Sequence, residues 1–179
     1  MNRRTVLQSL AALATLPLLP ACSQVSPGIS SASATASGAA EVALLDHPHT
    51  YWRDKVSPAA YRVLFEENTE APFSSPLDKE KRPGTFVCAA CQLPLFDSTA
   101  KFDSGTGWPS FTAPIAGHMG TKKDFKLVWP RTEYHCARCG GHQGHVFNDG
   151  PEPRGERWCN NGLALAFVPQ GQPLPELRG

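Results

Sequence analysis

Cys136-Ala137-Arg138-Cys139-Gly140-Gly141-His142-Gln143-Gly144-His145-Val146-Phe147 places a thiol pair, a glycine turn and two imidazoles in one short run. Two thiolates spaced C-x-x-C chelate one metal from a tight turn, and Gly140-Gly141 permits the backbone such a knuckle requires. A second pair, Cys88-Ala89-Ala90-Cys91, lies upstream with 44 residues between the two. Brought together, the two turns complete a tetrahedral four-sulfur shell suited to zinc. The intervening segment is longer than in compact zinc ribbons, so a sheet is expected to join the knuckles. Other readings stay open. In an oxidising compartment the pairs can be disulfides or a redox-active dithiol, and a thiolate-only site accepts iron too. Four cysteines fill a zinc shell, which leaves His142 and His145 as proton donors.

Outward from this run the chain reads as short extended pieces broken by Gly and Pro. Thr85–Val87, Phe125–Trp129, Thr132–His135, His145–Phe147 and Leu163–Val168 are the predicted strands. Ser57-Pro58-Ala59-Ala60-Tyr61-Arg62-Val63-Leu64-Phe65-Glu66 predicts a short helix, with Ser57 as cap, Pro58 at the first helical position and Tyr61, Leu64 and Phe65 on one face. Asn68–Pro76 is a predicted loop. Residues 41–179 therefore form one mostly-β domain with a minor helical start. Pro at 17 and Gly at 15 among 179 residues argue against a helical bundle. Seventeen basic against sixteen acidic residues, net +1, argue against a nucleic-acid binder that works through a broad basic surface.

Residues 1–22 read as an address. Arg3 and Arg4 precede an uncharged Leu- and Ala-rich run shorter than a membrane span. The paired arginines resemble a twin-arginine (Tat) export signal. Leu19-Pro20-Ala21-Cys22 resembles a lipoprotein box with Cys22 as the lipidated residue, although Pro20 departs from the small residue usual there. The alternative is a plain signal cleaved near Ala34 or Ala36. Residues 23–40, rich in Ser, Ala and Gly, form a flexible tether. The expectation is an exported protein of the periplasm or cell envelope, tethered to a membrane through Cys22. Cutting before Cys22 removes two basic residues and no acidic one, which turns the net charge to −1.

Cys159, in Gly155-Glu156-Arg157-Trp158-Cys159-Asn160-Asn161-Gly162, has no obvious partner. A lone cysteine is more often a buried small hydrophobe than a nucleophile. Arg157 would favour its thiolate if the chain is extended there, which puts both on one face. Ser104-Gly105-Thr106-Gly107-Trp108-Pro109-Ser110-Phe111 is a tight loop presenting Trp108, either to the core or to a pocket, with Phe111 in the core.

Four motifs in order now carry a resemblance over residues 48–169. They are Cys88-x-x-Cys91, the Ser104–Phe111 loop, Arg131-Thr132-Glu133 leading through Cys136-x-x-Cys139 to Gly144-His145-Val146-Phe147-Asn148-Asp149-Gly150-Pro151, and Gly155-Glu156-Arg157-Trp158-Cys159 followed by Asn161. The chain is similar to the B-type methionine sulfoxide reductases, the MsrB family, which reduce the R epimer of methionine sulfoxide. The resemblance implies a β-tent-like fold of two antiparallel sheets with one structural zinc at one end. It implies Cys159 as nucleophile, Trp108 and Phe147 binding the substrate methyl group, and His142, His145 and Asn161 orienting the sulfoxide and supplying a proton, with Arg157 near the thiolate. Its partners would be oxidised protein substrates and a thioredoxin-like or small-thiol reductant, with the chain acting as a monomer in protein repair. Two departures are visible. Thr106 occupies the position where many members carry a resolving cysteine, so Cys159 sulfenic acid is expected to need an external thiol. Gly162 stands where a serine often follows the asparagine. Two further classes of function remain: a non-catalytic zinc module that binds a ligand, and a thiol–disulfide exchanger using a C-x-x-C pair.

Overall fold

The computed structural model describes residues 42–126 and 129–179. The expected export signal, Cys22 and the expected tether through residue 40 lie outside the described residues.

The helix forms as its sequence dictates. Ser57 is extended and its Oγ accepts a hydrogen bond from the Ala60 amide at 3.1 Å, while Pro58 opens α1 (Pro58–Glu66). Glu67, with φ 54°, ends it in a left-handed turn. Tyr61, Val63, Leu64 and Phe65 are buried, and Phe65 stacks on the fully buried Trp52 of the turn His49–Trp52.

Nine strands follow among the described residues: β1 (Gly84–Cys88), β2 (Pro94–Asp97), β3 (Lys101–Phe102), β4 (Ser110–Phe111), β5 (Met119–Asp124), β6 (Arg131–Cys136), β7 (His142–Phe147), β8 (Arg157–Asn160) and β9 (Leu165–Pro169). They build two antiparallel sheets, ordered β2-β1-β9 and β3-β4-β8-β7-β6-β5. Aromatic side chains join them. Phe96 of β2 stacks on Phe111 of β4 at 4.0 Å, Phe86 of β1 meets Phe111 edge-on at 5.0 Å, and Phe96 meets Tyr134 of β6 edge-on at 6.3 Å. Phe86, Phe96, Phe111 and Tyr134 are fully buried. Burial of that much aromatic surface is the main favourable term holding one sheet on the other.

The mostly-β reading and the short helix hold. One predicted strand does not. In the Phe125–Trp129 run, Phe125, Lys126 and Trp129 lie between β5 and β6 outside any strand, with Phe125 and Trp129 exposed, and residues 127 and 128 lie outside the described residues. The strand is the polar stretch before it, Met119–Asp124, an edge whose Thr121, Lys122 and Lys123 face solvent, so its hydropathy carries little signal. Asp124 ends it: its carboxylate accepts the Lys126 amide at 2.9 Å and turns the chain. The Leu163–Val168 run starts as a short 3-10 turn, Gly162–Ala164, before β9 begins.

Candidate functional site

The four-cysteine cluster is built from a repeated backbone turn. Cys88 ends β1, its amide donates to Leu93 O at 2.8 Å, and its carbonyl accepts the Gln92 amide at 3.0 Å. Cys136 ends β6 with the same pattern, donating to Gly141 O at 2.9 Å and accepting from Gly140 N at 2.9 Å. The fourth residue after each first cysteine is left-handed, Gln92 at φ 64° and Gly140 at φ 71°. That conformation suits glycine, which explains Gly140; the first knuckle holds a glutamine in it.

The two turns meet. Cys88 Sγ lies 3.6 Å from Cys139 Sγ and Cys91 Sγ lies 3.5 Å from Cys136 Sγ. All four sulfurs are buried and within 4.8 Å of one another. Sulfur–metal bonds of ~2.3 Å in a tetrahedron put sulfurs about 3.8 Å apart, whereas a disulfide needs about 2.05 Å. The sulfurs in contact belong to different knuckles, and none is bonded to another. Crowding splits their acidities: Cys91 is pulled down by hydrogen bonds from Cys136, Cys139 and Cys88, while Cys88 and Cys139 are pushed up, Cys136 being the main cause in each case. A divalent cation removes that conflict by taking all four as thiolates. The donor set therefore fits zinc.

The second cluster lies on the six-stranded sheet. Across it, Ser110 of β4, Cys159 of β8, His145 of β7, Glu133 of β6 and Lys122 of β5 are successive directly opposed residues. Opposed residues of neighbouring strands share a face, so thiol, imidazole and carboxylate form one row. Beside it, Arg157 is opposed to Phe147 and its guanidinium sits 4.3 Å from that ring. Arg157 and Cys159, two apart on an extended strand, point the same way, as the sequence required.

His142 joins the row through an irregularity. Residues three apart on a regular strand point to opposite faces. Here β6 and β7 slip register: Tyr134 faces Gly144 and His135 faces His142, which leaves Gln143 as an extra residue. The bulge swings His142 back. Its ring lies 5.4 Å from that of His145, and its Nδ1 meets Glu133 Oε1 at 3.0 Å. His142 Nε2 is buried with no hydrogen-bond partner among the described residues.

A cleft of about 140 Å³ is lined by Thr69, Trp108, Arg131, Gly144, His145, Phe147, Cys159, Asn160 and Asn161. The structure thus brings five of the seven predicted catalytic and substrate residues to one wall. His142 and Arg157 stand one contact back, both almost fully buried. Larger surface clefts of about 390 and 290 Å³ hold neither cysteine nor histidine.

Electrostatics differ from group to group. Burial pushes the Cys159 thiol up, and the charge and hydrogen bond of Arg157 oppose it. Arg157 is clamped by Asp149 at 2.8 and 3.0 Å. Burial pushes His145 down, although its Nε2 meets Asp124 Oδ2 at 2.8 Å. Burial also works to raise Glu133, but hydrogen bonds from His142 and Lys122 prevail and hold it low. Asn161 is largely committed to the scaffold: Oδ1 accepts the Glu70 amide at 3.1 Å and Nδ2 donates to Gln143 O at 3.0 Å, leaving one N–H. Trp108 is pinned by its indole N–H to Glu70 O at 3.2 Å.

Sequence reasoning named no role for Glu70, Thr69, Asp124, Arg131, Glu133 or Asp149. Glu133 and Asp149 lie inside the quoted motifs, and their spacing to His142 and Arg157 was the available signal. Glu70 lies in a loop with no local pattern that marks it.

Fold and site together define a two-sheet β protein with a four-cysteine cluster that could hold a metal and a separate thiol–imidazole cleft. A family profile for the SelR domain matches residues 56–169. The chain is 51% identical over 120 residues to a peptide methionine sulfoxide reductase MsrB of Bradyrhizobium diazoefficiens, covering 66% of this chain and 86% of that protein. It is 52% identical over 116 residues to one of Caulobacter vibrioides, covering 64% and 73%. It is 45% identical over 115 residues to the chloroplastic peptide methionine sulfoxide reductase B1 of Arabidopsis thaliana, covering 64% and 57%. The chain belongs to the SelR-domain, MsrB-type methionine sulfoxide reductase family.

Proposed function

We propose that this oxidoreductase reduces the R epimer of protein-bound methionine sulfoxide to methionine, with Cys159 as nucleophile. The observation that carries the reading is the single thiol directly opposed to His145 in a small cleft walled by Trp108 and Phe147. Trp108 and Phe147 offer an apolar surface for the S-methyl group, and the imidazole side accepts the sulfoxide oxygen. That asymmetry is what distinguishes one epimer from the other.

The Cys159 thiolate attacks the sulfoxide sulfur, the S–O bond breaks, the oxygen passes to Cys159 and one proton is taken up. The products are methionine and Cys159 sulfenic acid. His142 suits the proton's delivery: Glu133, held ionised, fixes its ring through Nδ1, while Nε2 has no hydrogen-bond partner among the described residues. His145 and the remaining Asn161 N–H orient the oxygen. Two equivalents of an external thiol return Cys159 to the thiol and release water and a disulfide. No second cysteine adjoins this cleft among the described residues, and Thr106 instead hydrogen-bonds Ser104 at 2.8 Å.

Zinc held by Cys88, Cys91, Cys136 and Cys139 would cross-link the ends of β1 and β6 and take no part in the redox step. A thiol–disulfide exchanger needs an accessible pair, and these four sulfurs are buried. We also propose that residues 1–22 direct export with lipidation of Cys22, which labelled fatty acid incorporated into wild type but not Cys22→Ala would support.

The test is turnover of R- and S-sulfoxide peptides with dithiothreitol, for wild type and Cys159→Ser. R-selective activity lost in the variant supports the reading. Equal use of both epimers, or activity that survives in Cys159→Ser, contradicts it.

A further inference from the structure

We propose that Glu70 is a positioning residue that fixes the substrate wall to the nucleophile's loop, with Ser75 filling the space that Gly162 leaves. The inference rests on the function proposed above and adds a residue to it. Four bonds meet at Glu70. Its amide donates to Asn161 Oδ1 at 3.1 Å and its carbonyl accepts the Trp108 indole N–H at 3.2 Å. Its carboxylate accepts the Gly162 amide at 2.5 Å and the Leu163 amide at 2.9 Å. Trp108, Asn161 and the turn after Cys159 are thereby referred to one buried residue.

The chemistry calls for a carboxylate. The turn Gly162–Ala164 starts with amides that have no partner within it, and the preceding Asn161 gives no side-chain cap. Asn161 is occupied elsewhere, so Glu70 caps the turn from another loop. Two charge-assisted bonds offset part of the cost of burying the carboxylate.

Gly162 fits this arrangement tightly. A Cβ there would lie 2.0 Å from Ser75 Oγ, 2.4 Å from Ser75 Cβ and 3.2 Å from Glu70 Oε1. Ser75 is itself held, its Oγ accepting the Leu77 amide at 3.2 Å. The loop carrying Glu70 and Ser75 is thus keyed to the missing side chain at 162.

The glutamate also acts on the thiol. Glu70 and Asp149 oppose the Cys159 thiolate and Arg157 favours it; His145 faces Cys159 from β7, and Tyr134 lies within reach of its charge.

The experiment measures kcat, KM, metal content and iodoacetamide alkylation of Cys159 for Glu70→Gln, Gly162→Ser, Ser75→Gly and the double variant. Glu70→Gln is expected to lower kcat/KM by about 10- to 100-fold, mostly through KM as Trp108 shifts. It should also alkylate faster at neutral pH than wild type, with metal content unchanged. Gly162→Ser is expected to fall by at least about tenfold, Ser75→Gly to stay within about threefold, and the double variant to recover to the Ser75→Gly level. Wild-type kinetics in Glu70→Gln, or no recovery in the double variant, overturns the proposal. If Cys159→Ser keeps activity, the proposed chemistry fails instead, and the alkylation rates alone decide the positioning role.

Discussion

Burial works against the Cys159 thiolate and Arg157 works for it. Alkylation of Cys159 follows its thiolate, so its rate should rise with pH, with a midpoint above the ordinary thiol range. Replacing Arg157 with Met removes the favourable charge and keeps an apolar stem on Phe147. The midpoint should then move further up, and the rate at pH 7 should fall by about tenfold. A midpoint that moves down would contradict the role of Arg157. His142→Ala removes the proposed proton donor while leaving the thiol in place. It should lower kcat for R-sulfoxide peptide by about 100-fold while alkylation of Cys159 stays near wild type. At this scale the grouping of Cys159, both histidines and Trp108 was legible, because each sits in a dense local motif. Glu70 was not, because its partners, Trp108, Asn161, Gly162 and Leu163, are distant in sequence.

The elements differ in how openly they announce themselves. The helix is legible because its cap and first-turn proline are local chemistry. Ser57→Ala should destabilise the protein by about 1 kcal/mol, read as a lower urea midpoint with an unchanged slope. Edge strand β5 is hidden because polar residues pair as well as apolar ones when one face is wet, and the apolar Phe125 just beyond it is exposed and outside the strand. The bulge at Gln143 is hidden for another reason: register is set by the partner strand. Yet the bulge brings His142 to His145, and the Gln143 side chain joins Cys88 Sγ at 3.7 Å to Asn160 Nδ2 at 3.2 Å. Gln143→Ala would break that link and should slow turnover by about tenfold with the metal retained, as metal analysis beside kinetics would show.

For the whole molecule, the four-cysteine cluster brings the end of β1 in one sheet to the end of β6 in the other, where a bound metal would tie them. Cys136→Ser, or prolonged chelation, should release the metal and the cooperative unfolding transition together. A thiol exchanger would instead keep its fold. The two-sheet architecture was expected from the four motifs taken together, since short broken strands alone do not state how sheets pair. What joins the sheets, the contacts among Phe86, Phe96 and Phe111, depends on residues far apart in the chain. The central claim is that one thiol, Cys159, takes the oxygen with no second cysteine to relieve it. Mass spectrometry after a single turnover with R-sulfoxide peptide, without reductant and with a sulfenic-acid trap, tests this most directly. The account predicts one trap adduct per chain, on Cys159, with one equivalent of methionine peptide formed. A disulfide from Cys159 to another cysteine of the chain, or methionine formed with Cys159 unmodified, would contradict it.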